Sequence, residues 1–293
     1  MRWAIVALAL AAATAHADPF TVGLYAPSAP FPSTSARVEL ASRLGEQVGK
    51  ALGGSGTGKV FARASDFAAA VKRGELAVAL VDASYLAAVG GGYTVIAAGV
   101  RDDATAHGWQ LVARGGGKLG ALRGKKLLVP GVGGRETEFV LDVLLGGEVA
   151  RDYFARIEPA PDTASVLAAL AIGKADAAVV PTGVELPAGV QVVVALPALE
   201  GPVLVAYGPL SAAQRAALAA AAPGFRGDAT ITGFRASDAE PIHAIARRFA
   251  PPVKRGPLAV PAIRLLVGDL VEGRTFAIER TPASVFAVAP DHH

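Results

Sequence analysis

Two stretches of this chain have residue types that hold small charged groups. Gly131-Val132-Gly133-Gly134-Arg135-Glu136 follows an apolar run, Leu127-Leu128-Val129, and precedes another that carries Phe139, Val140, Val143 and Leu144. A strand that passes through glycines into a helix start exposes backbone N–H groups suited to an anion, and Arg135 adds a planar fork of donors. The same residues suit a tight strand-to-helix turn with Arg135 on the solvent face. Both readings stay open. The sixth position is Glu136 and not the third glycine of a dinucleotide fingerprint, so no cofactor is expected there. The second stretch, Gly53-Gly54-Ser55-Gly56-Thr57-Gly58-Lys59-Val60, imitates a phosphate loop. No Ser or Thr follows Lys59, and the segment follows a helix where the motif requires a strand, so it reads as a helix-to-strand turn. Ser84-Tyr85 ends an apolar run, at the position where α/β proteins gather ligand contacts. The plainer alternative has Ser84 capping the next helix and Tyr85 in the core.

Other chemistry is excluded by composition. The chain has no Cys, which removes disulfides, thiol nucleophiles and cysteine metal sites. Of five His, His16 lies in the leader and His292-His293 end the chain, so no metal cluster is legible. There is no G-x-S-x-G elbow, paired-carboxylate or His-centred constellation, so no enzyme is expected. The formal charge of +3 is too balanced for a nucleic-acid binder, and no Lys/Arg cluster has interleaved aromatics.

The elements that must position these residues alternate between strand and helix. Met1-Arg2, the apolar run Trp3 to Ala13 and Ala15-His16-Ala17 form a leader with cleavage expected after Ala17, and so an exported, periplasmic protein. Phe20 to Tyr25 reads as a buried strand, and Ser33-Thr34-Ser35 as the cap of an amphipathic helix with Ala41, Leu44, Val48 and Leu52 on one face. A unit then occurs twice. Asp66 to Arg73 forms a short helix stopped by Gly74, followed by the strand Ala77 to Val81. Ser165 to Ile172, Gly173 and Asp176 to Val180 repeat it 99 residues later, which suggests two similar α/β lobes. Between them, Trp109 to Arg114 reads as a strand, and Leu119 to Val129 as a single helical turn that delivers the chain into another, buried strand.

The order of these motifs resembles the type 2 periplasmic solute-binding proteins of ABC transporters. Lys118 to Gly131 resembles the stretch that opens their second lobe, and Asp162 to Val179 their "helix-x-G-x-A-D-A" unit. Ala195 to Val205 resembles the return strand, and Ser211 to Leu218 the helix that follows it. Val81-Asp82-Ala83-Ser84-Tyr85-Leu86 is most similar to the phosphate/phosphite/phosphonate-binding group. Ala77 replaces the usual first-lobe Asp, and Gly133-Gly134-Arg135 stands where phosphonate binders have a Ser/Thr-rich loop. The resemblance implies an α/β fold of two lobes, mixed sheets flanked by helices and joined by two crossings near Val100–Ala104 and Leu196–Pro202. The segments would be a leader at 1–17, lobe one at 18–104 and 201–250, lobe two at 105–200, and a C-terminal extension at 251–293. It implies a monomer that captures a small anionic solute and delivers it to a transporter permease, or a sensing module on the same fold without transport. Expected ligand contacts are Tyr25, Ser28, Ser84 and Tyr85 from lobe one, and Gly133, Gly134, Arg135 and Thr182 from lobe two.

Overall fold

The computed structural model describes residues 20–208 and 210–250. The leader and the C-terminal extension expected from the sequence lie outside the described residues.

Two mixed sheets share the chain. The first takes β1 (Phe20–Tyr25), β2 (Gly56–Val60), β3 (Val78–Asp82) and β4 (Tyr93–Val100), then β10 (Pro202–Tyr207) and β11 (Gly233–Arg235) from later in the sequence. Its strand order is β11-β4-β10-β3-β1-β2. The second takes the intervening strands β5 (Ala106–Arg114), β6 (Lys126–Pro130), β7 (Arg156–Ala160), β8 (Ala177–Pro181) and β9 (Val190–Glu200), in the order β7-β6-β8-β5-β9. The repeated unit explains the shared plan. In each sheet a central strand, β1 or β6, pairs in parallel with the two that follow it, and an antiparallel strand, β10 or β5, lies against the third. Strands covered on both faces carry continuous apolar runs: β3, β8 and β10 are buried throughout.

Helices follow the strands as capping chemistry dictates. Helix α1 (Thr34–Ala51) starts where Ser33 Oγ accepts the Ala36 N–H at 3.1 Å. Helices α2 (Ala64–Lys72) and α3 (Ala83–Val89) complete the first lobe's early half. In the second lobe α4 is a single turn, Glu136–Glu138, which widens into π-helical turns over Phe139–Leu144, all six of them buried. The apolar helix expected from about Arg135 is therefore α-helical only at its start. Helix α5 (Thr163–Ala171) is capped by Asp162, α6 (Ala212–Ala221) by a Ser211/Gln214 capping box, and α7 (Glu240–Arg248) closes the described chain.

The single return strand read over Ala195 to Val205 is two strands in different sheets, divided at Gly201. There the chain leaves β9 of the second sheet and enters β10 of the first. The other crossing runs through Arg101 to Thr105, with Asp102 and Asp103 at positive φ. The crossings are tied by the Gly201 N–H, which donates to Thr105 O at 2.7 Å.

The glycines that imitated a phosphate loop have a packing role. A side chain on Gly56 would meet the Gly45 carbonyl of α1, and one on Gly58 would meet the Ala41 backbone. Gly45 and Gly49 face Thr57 and Gly56 in the same way. Glycines on both surfaces bring the α1 and β2 backbones into direct contact. Because the obstacle is backbone, it cannot rotate away as a side chain could. Gly58→Ala is therefore expected to cost about 1–3 kcal/mol of stability, read as a lower urea midpoint at unchanged slope. An unaltered midpoint would show that α1 and β2 can separate freely.

Candidate functional site: the cleft between the lobes

The carboxyl ends of β1, β2 and β3 face those of β6 and β7, and loops at these ends touch across the gap. Such ends are where open α/β sheets place ligands. A cavity of about 340 Å3 lies there, lined by Tyr25 and Arg63–Ser65 from the first lobe and by Gly131, Gly133, Gly134, Glu136 and Pro159–Pro161 from the second. A second hollow of about 470 Å3 adjoins it, lined by Phe67, Tyr85, Val89, Gly133 and Tyr207 among others.

An aromatic cluster builds the first-lobe wall. Tyr25 stacks on Phe67 with centroids 5.4 Å apart and meets Tyr85 edge-on at 4.9 Å. The Tyr25 hydroxyl donates to Gly131 O across the cleft at 3.3 Å. Burial raises the Tyr25 pKa, and Asp82, Tyr85 and Glu136 add to the rise, so the hydroxyl keeps its proton and remains a donor.

Three carboxylates organise the loops. Asp82, at the end of β3, accepts the Ser28 N–H at 2.7 Å. Glu136 Oε1 accepts both the Val132 N–H at 3.0 Å and the Gly134 N–H at 3.1 Å. Asp162 accepts the Ser165 N–H at 2.7 Å and pairs with Arg37 of the other lobe at 2.7 Å. Burial raises the Asp162 pKa, but the Ser165 hydrogen bonds and the Arg37 guanidinium outweigh it and leave the carboxyl below its ordinary range. Beside this ion pair, Thr163 N–H donates to Pro27 O at 3.0 Å, and its hydroxyl reaches Pro27 O at 3.2 Å and Ser28 O at 3.0 Å. One side of the cleft is therefore closed by a polar latch between the Pro27-Ser28 loop with α1 and the start of α5.

The residues picked out by sequence have separate fates. Tyr25, Gly133 and Gly134 line the 340 Å3 cavity, and Tyr85 and Gly133 line its neighbour. Gly133 sits at φ +91, and a side chain there would collide with Tyr85 and Val89 of the opposite lobe. Ser28 meets the cleft through its backbone, and it also lines a small cavity of about 30 Å3 at the hinge, with Arg101, His107 and Trp109. Ser84 is buried in the first turn of α3 and does not cap it, since Asp82 holds the N-cap position, whereas Tyr85 packs in the aromatic core as the plainer alternative had it. Thr182 belongs to the hinge: its N–H donates to Gly108 O at 2.8 Å, its carbonyl accepts from Arg101 at 3.2 Å, and its side chain faces Gly108.

Arg135 points elsewhere. Its guanidinium donates to Ala88 O at 3.4 Å and Phe249 O at 3.2 Å, and lies 4.6 Å from the Phe249 ring centroid. This side chain ties the second lobe to α3 and to the end of α7. Of the amides expected to face a ligand anion, Gly134 N–H is held by Glu136, which also takes the Val132 N–H. Glu136, Asp82, Asp162, Thr163 and Arg37 were all missed as site residues. The Asp162–Ser165 cap has a local sequence signal, and Glu136 acts on amides two and four residues before it; Asp82, Thr163 and Arg37 act through contacts distant in the chain.

No protein-family model and no curated protein matches the chain, whereas solved structures match its fold. A Xanthomonas citri protein bound to ATP superposes with a TM-score of 0.60 at 14% identity, over 78% of this chain and 97% of that one. Prochlorococcus marinus PhnD1 in complex with methylphosphonate gives 0.61 at 12%, over 79% and 98%. A binding-protein component of an ABC phosphonate transporter from Pseudomonas aeruginosa gives 0.60 at 14%, over 78% and 87%. The chain has the two-lobed α/β fold of the periplasmic binding proteins, as its motif order implied. Among the described residues no helix is long and apolar enough to cross a membrane.

Asp82 yields a pH prediction. Burial pushes its pKa from 3.8 up to about 7, opposed by the Ser28 hydrogen bonds and by Arg37. Its second oxygen, Oδ1, is buried without a partner among the described residues. A folded pKa above the unfolded one means stability fully present below about pH 3.8 and lost as pH rises through about 7. At about 1.4 kcal/mol per pKa unit the loss is on the order of 4 kcal/mol at most. Asp82→Asn should therefore flatten the fall in melting temperature between pH 5 and pH 8. Melting curves that run parallel to wild type across that range would show that Asp82 does not titrate there.

Proposed function

We propose that this chain is a non-enzymatic solute-binding protein that captures a small molecule between its lobes and passes it to a membrane transporter. The observation that carries the reading is the 340 Å3 cavity at the facing strand ends, walled by both lobes and reached across two crossings. That size suits a small solute. A ligand touching both walls favours the closed arrangement over the open one, and the closed arrangement is the form a permease would recognise. The fold neighbours support this reading, since one is a transporter component and another holds methylphosphonate. Export, implied by the leader pattern, belongs to the same proposal.

An oxyanion seated on the Gly133-Gly134-Arg135 turn is not part of the reading. Of the amides in that turn, Gly134 N–H already donates to the Glu136 carboxylate, whose charge lies beside the turn, and the Arg135 fork is engaged by two carbonyls and a ring.

The polar latch supplies the test. Arg37 and Asp162 are only 13% and 16% exposed, so their ion pair is shielded from solvent and worth more than a surface pair. Arg37→Met should shift the protein toward the open form. Small-angle scattering should show a larger radius of gyration, and titration calorimetry about tenfold weaker binding of a solute found by thermal-shift screening. Wild type should contract when that solute is added. An identical radius with and without saturating solute would remove the closure mechanism.

A further inference from the structure

We infer that the solute held in this cleft presents a protonated amine, and that Glu136 is the residue that selects it. The inference rests on the solute-binding reading and names the chemistry of the same cavity.

Glu136 is 8% exposed and lines the 340 Å3 cavity. Its Oε1 is saturated by the Val132 and Gly134 N–H groups at 3.0 and 3.1 Å, which fix the plane of the carboxylate. Its Oε2 accepts no hydrogen bond and joins no ion pair among the described residues. With one oxygen anchored and the other left free beside a cavity, this carboxylate has room for a donor that a ligand brings. The neighbouring groups cannot serve. Arg135, its chain neighbour, is bound to Ala88 O and Phe249 O. The Tyr25 hydroxyl spends its proton on Gly131 O.

Two oxygens also stand near Gly131 in this cavity. Tyr25 Oη and Ala160 O lie 3.5 and 3.6 Å from the point where a Gly131 side chain would begin. Ala160 O receives the Gly131 N–H at 3.0 Å, which leaves one lone pair. An ammonium has three donors and no acceptor, and so matches a carboxylate oxygen beside carbonyl oxygens. An oxyanion entering there would meet the Glu136 charge, with the Val132 and Gly134 amides already donating to it. Among the described residues lining this cavity the one cation, Arg63, is exposed.

The test uses the full chain labelled with nitrogen-15 and three minimal probes at equal ionic strength: ethylammonium, tetramethylammonium and methylphosphonate. Ethylammonium should move the Val132 and Gly134 amide resonances saturably, because it loads the carboxylate that accepts from them. Tetramethylammonium has the charge without an N–H and should move them far less. Glu136→Gln keeps an oxygen for the two loop amides while removing the charge, and should weaken ethylammonium binding by about ten- to a hundredfold at an unchanged melting temperature. Equal shifts from tetramethylammonium, or saturable shifts from methylphosphonate alone, would overturn the amine while leaving a solute-binding cleft in place. If no probe moved amides on either wall, both the amine and the cavity as a binding site would fall. The wild-type probe comparison decides the matter even if Glu136→Gln does not fold.

Discussion

The Glu136 carboxylate, clasping two amides of the loop that leads into its own helix, is the contact on which the rest of this cleft depends. Loops at strand ends present backbone N–H groups that must find acceptors once water is excluded. Here the chain supplies the acceptor from within, four residues after Val132 and two after Gly134. The loop can then approach the opposite lobe closely enough for Gly133 to rest on Tyr85 and Val89, a distance at which any side chain would collide. A turn that from its glycines and Arg135 would offer donors alone thus also presents an acceptor.

The same device recurs on both sides of the gap. Asp82 holds the Ser28 amide in the first lobe, and Asp162 holds the Ser165 amide in the second. Internal carboxylates therefore stiffen the loops that meet, and the meeting combines polar contacts, Arg37 with Asp162, Thr163 with Pro27 and Ser28, and Tyr25 with Gly131, with apolar packing such as Phe139 on Phe249. Arg135 adds a different link. It joins the second lobe to α3 and to the carbonyl end of α7, where a guanidinium complements the helix dipole.

Local patterns in the chain determined most of the architecture. The alternation of short apolar strands with Gly-stopped helices, repeated 99 residues apart, dictates two α/β lobes, because strand burial and helix capping are properties of a few adjacent residues. The positions where strands end followed from the same patterns, and Tyr25, Tyr85, Gly133 and Gly134 do lie at the cleft. What only the tertiary structure decided is which partner each polar group takes. Arg135 could serve a ligand, solvent or another lobe, and Ala88 and Phe249, 47 and 114 residues away, settle it. Thr182 follows the strand that repeats β3, yet it faces Gly108 at the hinge and not the cavity. Glu136 read as a mismatch in a cofactor motif until the loop folded back onto it. A side chain's chemistry is written in its identity, but a hydrogen bond has one geometry and several candidates, and the packing of distant segments chooses among them.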